Sequence, residues 1–336
     1  MRLAALVEHP DHVCCRYRLR AYEPILRAAG CTFDYLSLDK GWSLHPSFWQ
    51  ALHRADAVVL QRQFLLGWQR ALLRQTARRL IFDLDDAVFL RDSYSPRGLQ
   101  SARRWRQFGA IAHKADVVVA GNSFLQAKSL EAGAHQTTVI PTCVDADRYQ
   151  IAEHARQDAG VQMVWVGSSS TLQGLTRIGP LLESIGQRWL GLSLKLICDR
   201  FFHLRNLPVI PCSWKGATET REIAAADIGI SWIPDDDWSR GKCGLKILQY
   251  MAAGLPVVAN PVGVHRDLVI HGETGFLAES PSDWIEAVGR LMHDRELRRR
   301  LGRAGRRRLE THFSVRAGAA RWLELLGGFR VGKQAA

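Results

Sequence analysis

The segment 238–263, WSRGKCGLKILQYMAAGLPVVANPVG, combines glycine and basic residues at the start of a predicted helix. Gly244 precedes the helical pattern, and a glycine loop that opens a helix presents unpaired backbone N–H groups at the positive end of the helix dipole. Such an end binds phosphate. Arg240, Lys242 and Lys246 add cations where the dipole disfavours them, which indicates a bound anion. The alternative is a set of solvated charges around an ordinary helix start.

A second candidate site follows a predicted strand in the N-terminal half. The run LIFDLDDA over residues 80–87 ends in three carboxylates, Asp83, Asp85 and Asp86. A carboxylate at a strand end can orient or deprotonate a substrate hydroxyl. In the alternative interpretation, Asp83 and Asp85 cap the following turn, and Asp86 alone, or none of the three, is functional.

Short apolar runs alternate with helical patterns through both halves, which predicts α/β folding with parallel sheets. The predicted strands are Leu3–Val7, Ala57–Leu60, Leu80–Phe82, Val117–Ala120, Thr138–Ile140, Met163–Val166, Leu194–Ile197, Ile228–Ser231, Val257–Ala259 and Gly275–Leu277. A polar stretch, Asp145–Gly160, separates the two series. We therefore expect two doubly wound, Rossmann-like domains. Because open α/β sheets bind ligands at the carboxyl ends of their strands, the domains are expected to face an interdomain cleft.

The expected domains are residues 1–150 and 151–312, followed by residues 313–336 as a C-terminal helix that packs back on the first domain and a tail. Helical patterns cover residues 284–310 and 314–328. The net charge of +12 favours phosphorylated ligands or anionic lipid, and no nucleic-acid module accompanies it. Seven scattered cysteines show no metal-ligand spacing, so no metal site is predicted. With no signal peptide and no membrane-length apolar run, we expect a cytoplasmic protein.

The basic segment resembles the donor-site signature of the family-4 retaining glycosyltransferases of GT-B fold, E-x7-E followed by M-A-x-G-x-P-V-V. QYMAAGLPVV from Gln249 matches the second half of the signature. Three further matches occur in the family's order, at Val139–Asp145, Val164–Gly167 and His271–Leu277, so the resemblance covers residues 1–312. It implies a GT-B glycosyltransferase that moves a hexose from a UDP- or GDP-sugar to an acceptor hydroxyl, with retention, without a metal or other cofactor.

The first glutamate of the E-x7-E signature falls on Gly241 here, and the second is Gln249. In the family, the first contacts hydroxyls of the donor sugar and the second contacts the ribose. Glutamine can still hydrogen-bond a diol, so the change preserves a nucleotide contact and leaves the sugar open. A non-catalytic nucleotide-sugar-binding protein is the alternative that the missing carboxylate favours.

The resemblance implies specific site residues. Asp85 and Asp86 fall near the family's catalytic strand end, where a histidine often faces the reacting sugar carbon. The implied donor-binding residues are Arg16, Arg18, Gly167, Ser168, Ser169, Arg240, Lys242, Gly244, Leu245, Lys246 and Gln249. Serines replace the basic residues that usually follow Gly167, and Arg240, Lys242 and Lys246 are expected to supply the displaced phosphate charge.

The acidic run also resembles motifs of two other families. The D-x-D of GT-A transferases binds Mn²⁺, but it belongs to a single-domain fold that the strand pattern does not predict. In haloacid-dehalogenase phosphatases, Asp83 would be the nucleophile, yet the later lysine and acidic pair of that family are not found.

The segments 62–79 and 103–106 mix leucine, tryptophan and arginine and suit an anionic membrane surface. Arg62 counts among the basic residues of the first segment. The hypothesis is peripheral docking on the inner membrane face, where a saccharide or lipid-linked acceptor for cell-envelope polysaccharide, lipopolysaccharide or glycolipid synthesis is presented. Packing of the leucines into the core is the alternative.

Overall fold

The computed structural model describes residues 1–38, 41–42, 45–154 and 160–331, with side chains as far as Phe329. The chain forms two compact units. Unit 1 contains Met1–Cys143, Asp236–Cys243 and the segment from Val315, and unit 2 contains Val144–Asp235 and Gly244–Ser314.

Unit 1 is built on a six-stranded parallel sheet in the order β2-β1-β3-β4-β5-β6. Its strands are β1 Arg2–Val7, β2 Thr32–Ser37, β3 Ala57–Gln61, β4 Leu80–Leu84, β5 Val117–Ala120 and β6 Thr137–Val139. Its helices are α1 Val13–Cys15, which continues as a π-helical turn over Arg16–Arg20, α2 Glu23–Ala28, α3 Pro46–Arg54, α4 Gly67–Thr76, α5 Ala102–Ala112, α6 Ser123–Glu131, α10 Asp237–Arg240 and α15 Val315–Val331.

Alternate side chains of these strands enter two different cores, because successive residues of a strand point to opposite faces. On one face, Leu6 and Phe82 pack with α3, α4 and α5. On the other face, Ile81 packs with α2 and with Trp322 of α15. Both faces of the sheet are therefore covered, as a parallel sheet requires.

Unit 2 has a second six-stranded parallel sheet, in the order β12-β11-β10-β7-β8-β9. Its strands are β7 Val161–Val166, β8 Leu192–Cys198, β9 Val209–Ser213, β10 Ile228–Ser231, β11 Val257–Ala259 and β12 Gly275–Leu277. Its helices are α7 Ser169–Arg177, α8 Gly179–Arg188, α9 Glu219–Ala224, α11 Leu245–Ala252, α12 His265–Leu268, α13 Pro281–His293 and α14 Arg295–His312, with a 3-10 turn at Ala146–Arg148.

The strand orders fix where each unit can bind a ligand. Unit 2 has the doubly wound order in which the first and fourth strands, β7 and β10, are neighbours, and in unit 1 the corresponding pair is β1 and β3. Between such strands the chain turns to opposite sides of the sheet, which opens a crevice at their carboxyl ends. Gly167 follows β7, and Arg62 follows β3.

The prediction of two doubly wound parallel sheets is confirmed. The edge strands β2 and β9 were not predicted, because edge positions need no buried apolar run, and most of β9 is exposed. The predicted helix 284–310 is two helices, interrupted at Asp294, which caps α14 through the N–H of Leu297. The units also differ from the expected domain ranges, because Asp236–Cys243 belongs to unit 1.

Candidate active site

The amino end of α11 in unit 2 has the features of an anion site. Gly244 precedes the helix with φ of +68°, a left-handed conformation that favours glycine. A Cβ atom at this position would also lie 2.3 Å from Cδ1 of Leu268. Among the residues that the structure describes, no side chain caps the helix, and its first turn contains no acidic residue. Leu245 and Lys246, in that turn, are half-buried.

Trp165 connects Lys246 to the glycine loop that follows β7. The Lys246 Nζ lies 4.9 Å from the centroid of the Trp165 ring, within the range of a cation–π contact. A Cβ atom on Gly167 would lie 2.4 Å from Cη2 of the same indole, so this position requires glycine. Two of the predicted donor-binding elements, the β7 loop and the first turn of α11, thus both lie against Trp165.

At the amino end of α7, which carries Ser168 and Ser169, a backbone N–H group already donates a hydrogen bond to a carboxylate of the same unit. The Ser169 N–H donates to Oδ1 of Asp199 at 2.6 Å. Hydrogen bonds from Ser169 hold the pKa of the Asp199 carboxyl below its usual range. Ser168 donates its own N–H to Oγ1 of Thr171 at 3.3 Å. Asp199 was not predicted, although it follows the buried strand β8 directly and so belongs to the carboxyl edge of the sheet.

Gln249, predicted to contact the ribose, is buried in the structure. Its Nε2 donates to the hydroxyl of Tyr149 at 3.2 Å. The side chain therefore lies in the interior of unit 2 and is not exposed to a ligand in this conformation.

Neutral polar groups line the carboxyl ends of β10 and β11. Asn260 accepts from the N–H of Ile233 at 3.1 Å and donates to its carbonyl at 2.6 Å, which joins the ends of the two strands. His265 lies beside them, with Nε2 3.3 Å from Oγ of Ser231. Burial lowers the pKa of His265 to about 4, so the ring is neutral at physiological pH. Sequence reasoning missed this group, because none of its members stands out by type.

In unit 1, the predicted catalytic carboxylates form a cluster with Arg62 and Lys242. Arg62 Nη2 lies 2.8 Å from Oδ2 of Asp86, and its Nε lies 3.3 Å from Oδ1 of Asp85. Lys242 Nζ lies 2.9 Å from the same Asp86 oxygen. Asp86 is thus held by two cations. The buried Oδ1 of Asp85 forms this ion pair with Arg62 and accepts no further hydrogen bond within the described part of the chain.

Arg62 has a backbone φ of 58°, which is uncommon for a residue other than glycine. Burial alone would lower the pKa of its guanidinium, and the Asp85 and Asp86 charges outweigh this effect, so that the pKa is raised. Arg62 stays charged and is part of the carboxylate cluster. Its side chain is 24% exposed and its charge is paired within the cluster, so Arg62 adds little to the basic surface of the segment 62–79, whose membrane docking stays a prediction.

Two thiols adjoin this cluster. Arg62 Nη1 contacts Sγ of Cys14, and the Cys243 thiol donates to the Asp85 carbonyl oxygen at 3.3 Å. Burial raises the pKa of Cys243 to about 12 and also raises that of Cys14. Both thiols are therefore protonated and contribute no charge to the site.

Arg18 and Asp83 form a buried ion pair. Arg18 Nη2 lies 2.5 Å from Oδ1 of Asp83, and neither side chain has exposed surface. Arg18 is therefore not exposed to a diphosphate in this structure, in contrast to what the resemblance implies, and Asp83 is not placed to act as a phosphatase nucleophile. Arg16 is half-buried, and its guanidinium lies 5.5 Å from the centroid of the Tyr17 ring.

The segment Asp236–Cys243 is anchored in unit 1 by the side chain of Asn122. Its Nδ2 donates to the carbonyls of Arg240 and Lys242 at 3.2 and 3.0 Å. A Cβ atom on Gly241, where the family has its first glutamate, would lie 2.6 Å from the Cβ of Ala87. The structure thus assigns Arg240 and Lys242 to unit 1 and Lys246 to unit 2.

Neither a metal nor a membrane span is indicated by the residues that the structure describes. They contain no group of three His, Cys, Asp or Glu side chains that could hold a metal ion. Within the same ranges, no helix is both long and apolar enough to cross a bilayer.

Sequence comparison connects the α11 region to known enzymes. Residues 238–308 match the family model described as "Glycosyl transferases group 1". The sulfoquinovosyl transferase SQD2 of Arabidopsis thaliana is 40% identical over 75 residues, and trehalose synthase of Thermococcus litoralis is 29% identical over 86 residues. These matches cover 20% and 26% of the chain and 14% and 21% of the two relatives. The chain thus matches about a fifth of these relatives' length or less.

Solved structures resemble the whole chain. Sucrose-phosphate synthase from Thermosynechococcus elongatus has a TM-score of 0.75 at 18% identity, with 99% of this chain and 100% of that chain covered. Anabaena HepE in complex with UDP and glucose has a TM-score of 0.69 at 17% identity, with 98% and 100% covered. The chain has the GT-B fold of these structures, and its residues 238–308 match the glycosyl transferases group 1 family model.

Proposed function

We propose that this protein transfers a sugar from a nucleoside-diphosphate sugar to an acceptor hydroxyl, with retention at the anomeric carbon. The observation that carries the proposal is the amino end of α11, which begins at a left-handed glycine, holds Lys246 in its first turn and receives no side-chain cap from the described residues. This end lies within the segment that matches the glycosyltransferase family model. It offers N–H groups and a cation to a diphosphate.

The proposed reaction has one bond broken and one bond formed. The bond between the anomeric carbon and the diphosphate oxygen breaks, and the electron pair leaves with the diphosphate, where negative charge builds up. The α11 amino end and Lys246 stabilise that charge. The acceptor oxygen bonds to the anomeric carbon, and its proton passes to the departing phosphate oxygen or to a nearby carboxylate. Asp85, whose side chain is 13% exposed and ion-paired with Arg62, accepts the hydrogen bond of the acceptor hydroxyl in this scheme.

We expect a UDP-sugar to be the preferred donor, since the similar HepE structure contains UDP. A thermal-shift screen across UDP-, GDP- and ADP-sugars checks this. A donor present at about 100 times its Kd adds about 2.7 kcal/mol of stability, which raises the Tm by roughly 5 °C or more. A preference for GDP-sugars would show that the donor carries guanine and not uracil. The absence of a Tm shift with every nucleotide sugar would contradict the proposed donor site.

The non-catalytic alternative, a nucleotide-sugar-binding protein, rests on the glycine at position 241, where the family has a carboxylate. Product analysis separates the two functions. Purified protein that binds a donor but releases neither free sugar nor a glycosylated product, with saccharide and lipid-linked acceptors, would support binding without transfer.

We further propose that the acceptor is lipid-linked and that unit 1 docks on an anionic membrane to reach it, in cell-envelope polysaccharide, lipopolysaccharide or glycolipid synthesis. At the start of α4, Leu66 and Trp68 are 58% and 52% exposed. Arg70 lies one helical turn after Leu66, and its guanidinium hydrogen-bonds the carbonyl of Leu65. Arg74 is paired with Asp116, so the two apolar side chains are the main anchor in this proposal.

Vesicle flotation tests this docking. The protein is expected to float with vesicles that contain anionic lipid, and the double variant Leu66→Ser/Trp68→Ser is expected to remain at the bottom of the gradient. Leu190→Ser is the matched control, because Leu190 is 84% exposed and lies in unit 2. Flotation that neither depends on salt nor changes in the double variant would contradict membrane docking by this face.

A further inference from the structure

Unit 2 contains a basic cavity whose lining includes none of the predicted donor residues. Its volume is about 330 Å³, and its walls include His154, Gly254 and three arginines of α14, Arg295, Arg299 and Arg303. Gly254 lies just after the carboxyl end of α11, whereas Gly244 and Lys246 lie at its amino end. This volume is at the lower end of the range for small-molecule sites.

The three arginines lie on one face of α14, since they are spaced four residues apart. Like charges at this spacing repel each other, and an anion among them would remove the repulsion. Arg295 and Arg299 both donate to the carbonyl oxygen of Glu153, at 3.3 and 3.4 Å, which keeps their guanidinium groups at the cavity wall. The Glu153 carboxylate, the acidic group of the lining, balances one of the three charges.

His154, one of the residues that line this cavity, has a buried ring nitrogen without a hydrogen-bond partner among the described residues. His154 is 5% exposed and has a φ of 51°, a left-handed conformation. Its Nδ1 lies 3.3 Å from Oδ1 of Asp227, whose Oδ2 accepts from the N–H of Gln162 at 2.9 Å. Its Nε2 has no hydrogen-bond partner in the described ranges. Buried polar atoms are rarely left unpaired, and because His154 lines the cavity, its Nε2 is the nearest unpaired acceptor for a ligand or a bound water there.

The neighbouring Asp227 carboxylate determines which ligand groups can form a hydrogen bond with Nε2 of His154. In the neutral tautomer that donates from Nδ1 to Asp227, Nε2 is left as an acceptor. A suitable ligand therefore accepts hydrogen bonds from guanidinium groups and donates one to Nε2. A singly protonated phosphate does both, whereas sulfate near neutral pH carries no proton to donate.

We propose that this cavity is a second anion site, which binds inorganic phosphate or the phosphate group of a small soluble phosphate ester. Arg295, Arg299 and Arg303 hold the phosphate oxygens, and the P–OH group donates to His154 Nε2. This site is independent of the donor site and does not rest on the transferase activity proposed above.

Isothermal titration with inorganic phosphate at low ionic strength tests the proposal. Saturable binding is expected, and Arg299→Ala and Arg303→Ala are each expected to weaken it by about tenfold. Arg300→Ala and Arg307→Ala are the matched controls, because both residues are exposed on the same helix and neither lines the cavity.

The ligand class and the role of His154 have separate tests. Phosphate should bind more tightly than sulfate, and His154→Asn should remove the difference, since asparagine tolerates the left-handed backbone and can still bond Asp227. Vesicles that carry a phosphate-monoester headgroup should not compete with free phosphate, because the histidine is buried. No saturable binding, equal losses in the cavity and control variants, or equal affinity for sulfate would each overturn the proposal.

Discussion

Replacing Lys246 by alanine is expected to lower kcat for sugar transfer by about 10²- to 10³-fold, the usual effect of removing one preorganised group that stabilises transition-state charge. The ammonium group lies in the first turn of α11, a position that the helix dipole disfavours for a cation unless an anion is bound nearby. Its contact with the Trp165 ring restricts it beside the Gly167 loop. The measurement is steady-state kinetics with the best donor from the thermal-shift screen.

Two comparisons make this prediction specific. Lys246→Arg keeps the positive charge and should retain much more activity than the alanine variant. Lys215→Ala removes a lysine at an exposed position of the same unit and should leave kcat unchanged. Equal kinetics for Lys246→Ala and the parent protein would remove Lys246 from the site and leave the α11 amino end without its cation.

The fold could be predicted from sequence because its central strands are apolar on both faces. The strand Val117–Ala120, for example, was predicted with its observed bounds, and all four of its residues are buried. The edge strand β9 gives no such signal, since it contains Pro211 and exposes most of its side chains. A strand could thus be predicted where both of its faces are buried, because burial then requires apolar residues along its whole length.

The amino end of α11 was also predictable, because it depends on local chemistry. A glycine before a helix and a cation in the first turn are properties of adjacent residues, and the helix begins at Leu245 as the sequence predicts. The sequence did not predict in the same way that Lys242 belongs to unit 1 and Lys246 to unit 2. This difference depends on the amide of Asn122, which holds the Arg240 and Lys242 carbonyls from 118 and 120 residues away in the chain.

Only part of the cluster around Asp85 and Asp86 was predicted from the sequence: the two carboxylates were, and Arg62 was not. The carboxylates follow a buried strand, and the carboxyl-end rule applies equally to Arg62, which follows β3, the neighbour of β4. Because arginine is abundant between residues 62 and 79, Arg62 did not stand out in the sequence as a site residue. For Arg18, the sequence could not distinguish an exposed phosphate ligand from a buried partner of Asp83, since both interpretations place an arginine after the first strand.

Replacing Asp85 by asparagine is expected to lower the rate of transfer by about 10²- to 10⁴-fold, the range for loss of one positioned acid–base group. The amide is nearly isosteric, so packing is preserved, while the oxygen that would accept the acceptor proton is replaced or neutralised. Donor affinity should be unchanged, because the donor-binding elements of the proposal lie in unit 2. Single-turnover transfer and donor titration on the same samples separate these two effects.

Asp86→Asn is the informative comparison, because Asp86 differs from Asp85 in its partners. It accepts from both Arg62 and Lys242, so its neutralisation leaves two partly buried cations without their shared counter-charge. Loss of one member of such a pair costs several kcal/mol, and because Asp85 is paired only with Arg62 among the described residues, at 3.3 Å, a larger fall in Tm is expected for Asp86→Asn than for Asp85→Asn. If the Asp85 variant lost stability and kept its transfer rate, Asp85 would be a structural residue, and the acceptor proton would have to leave by way of the departing phosphate.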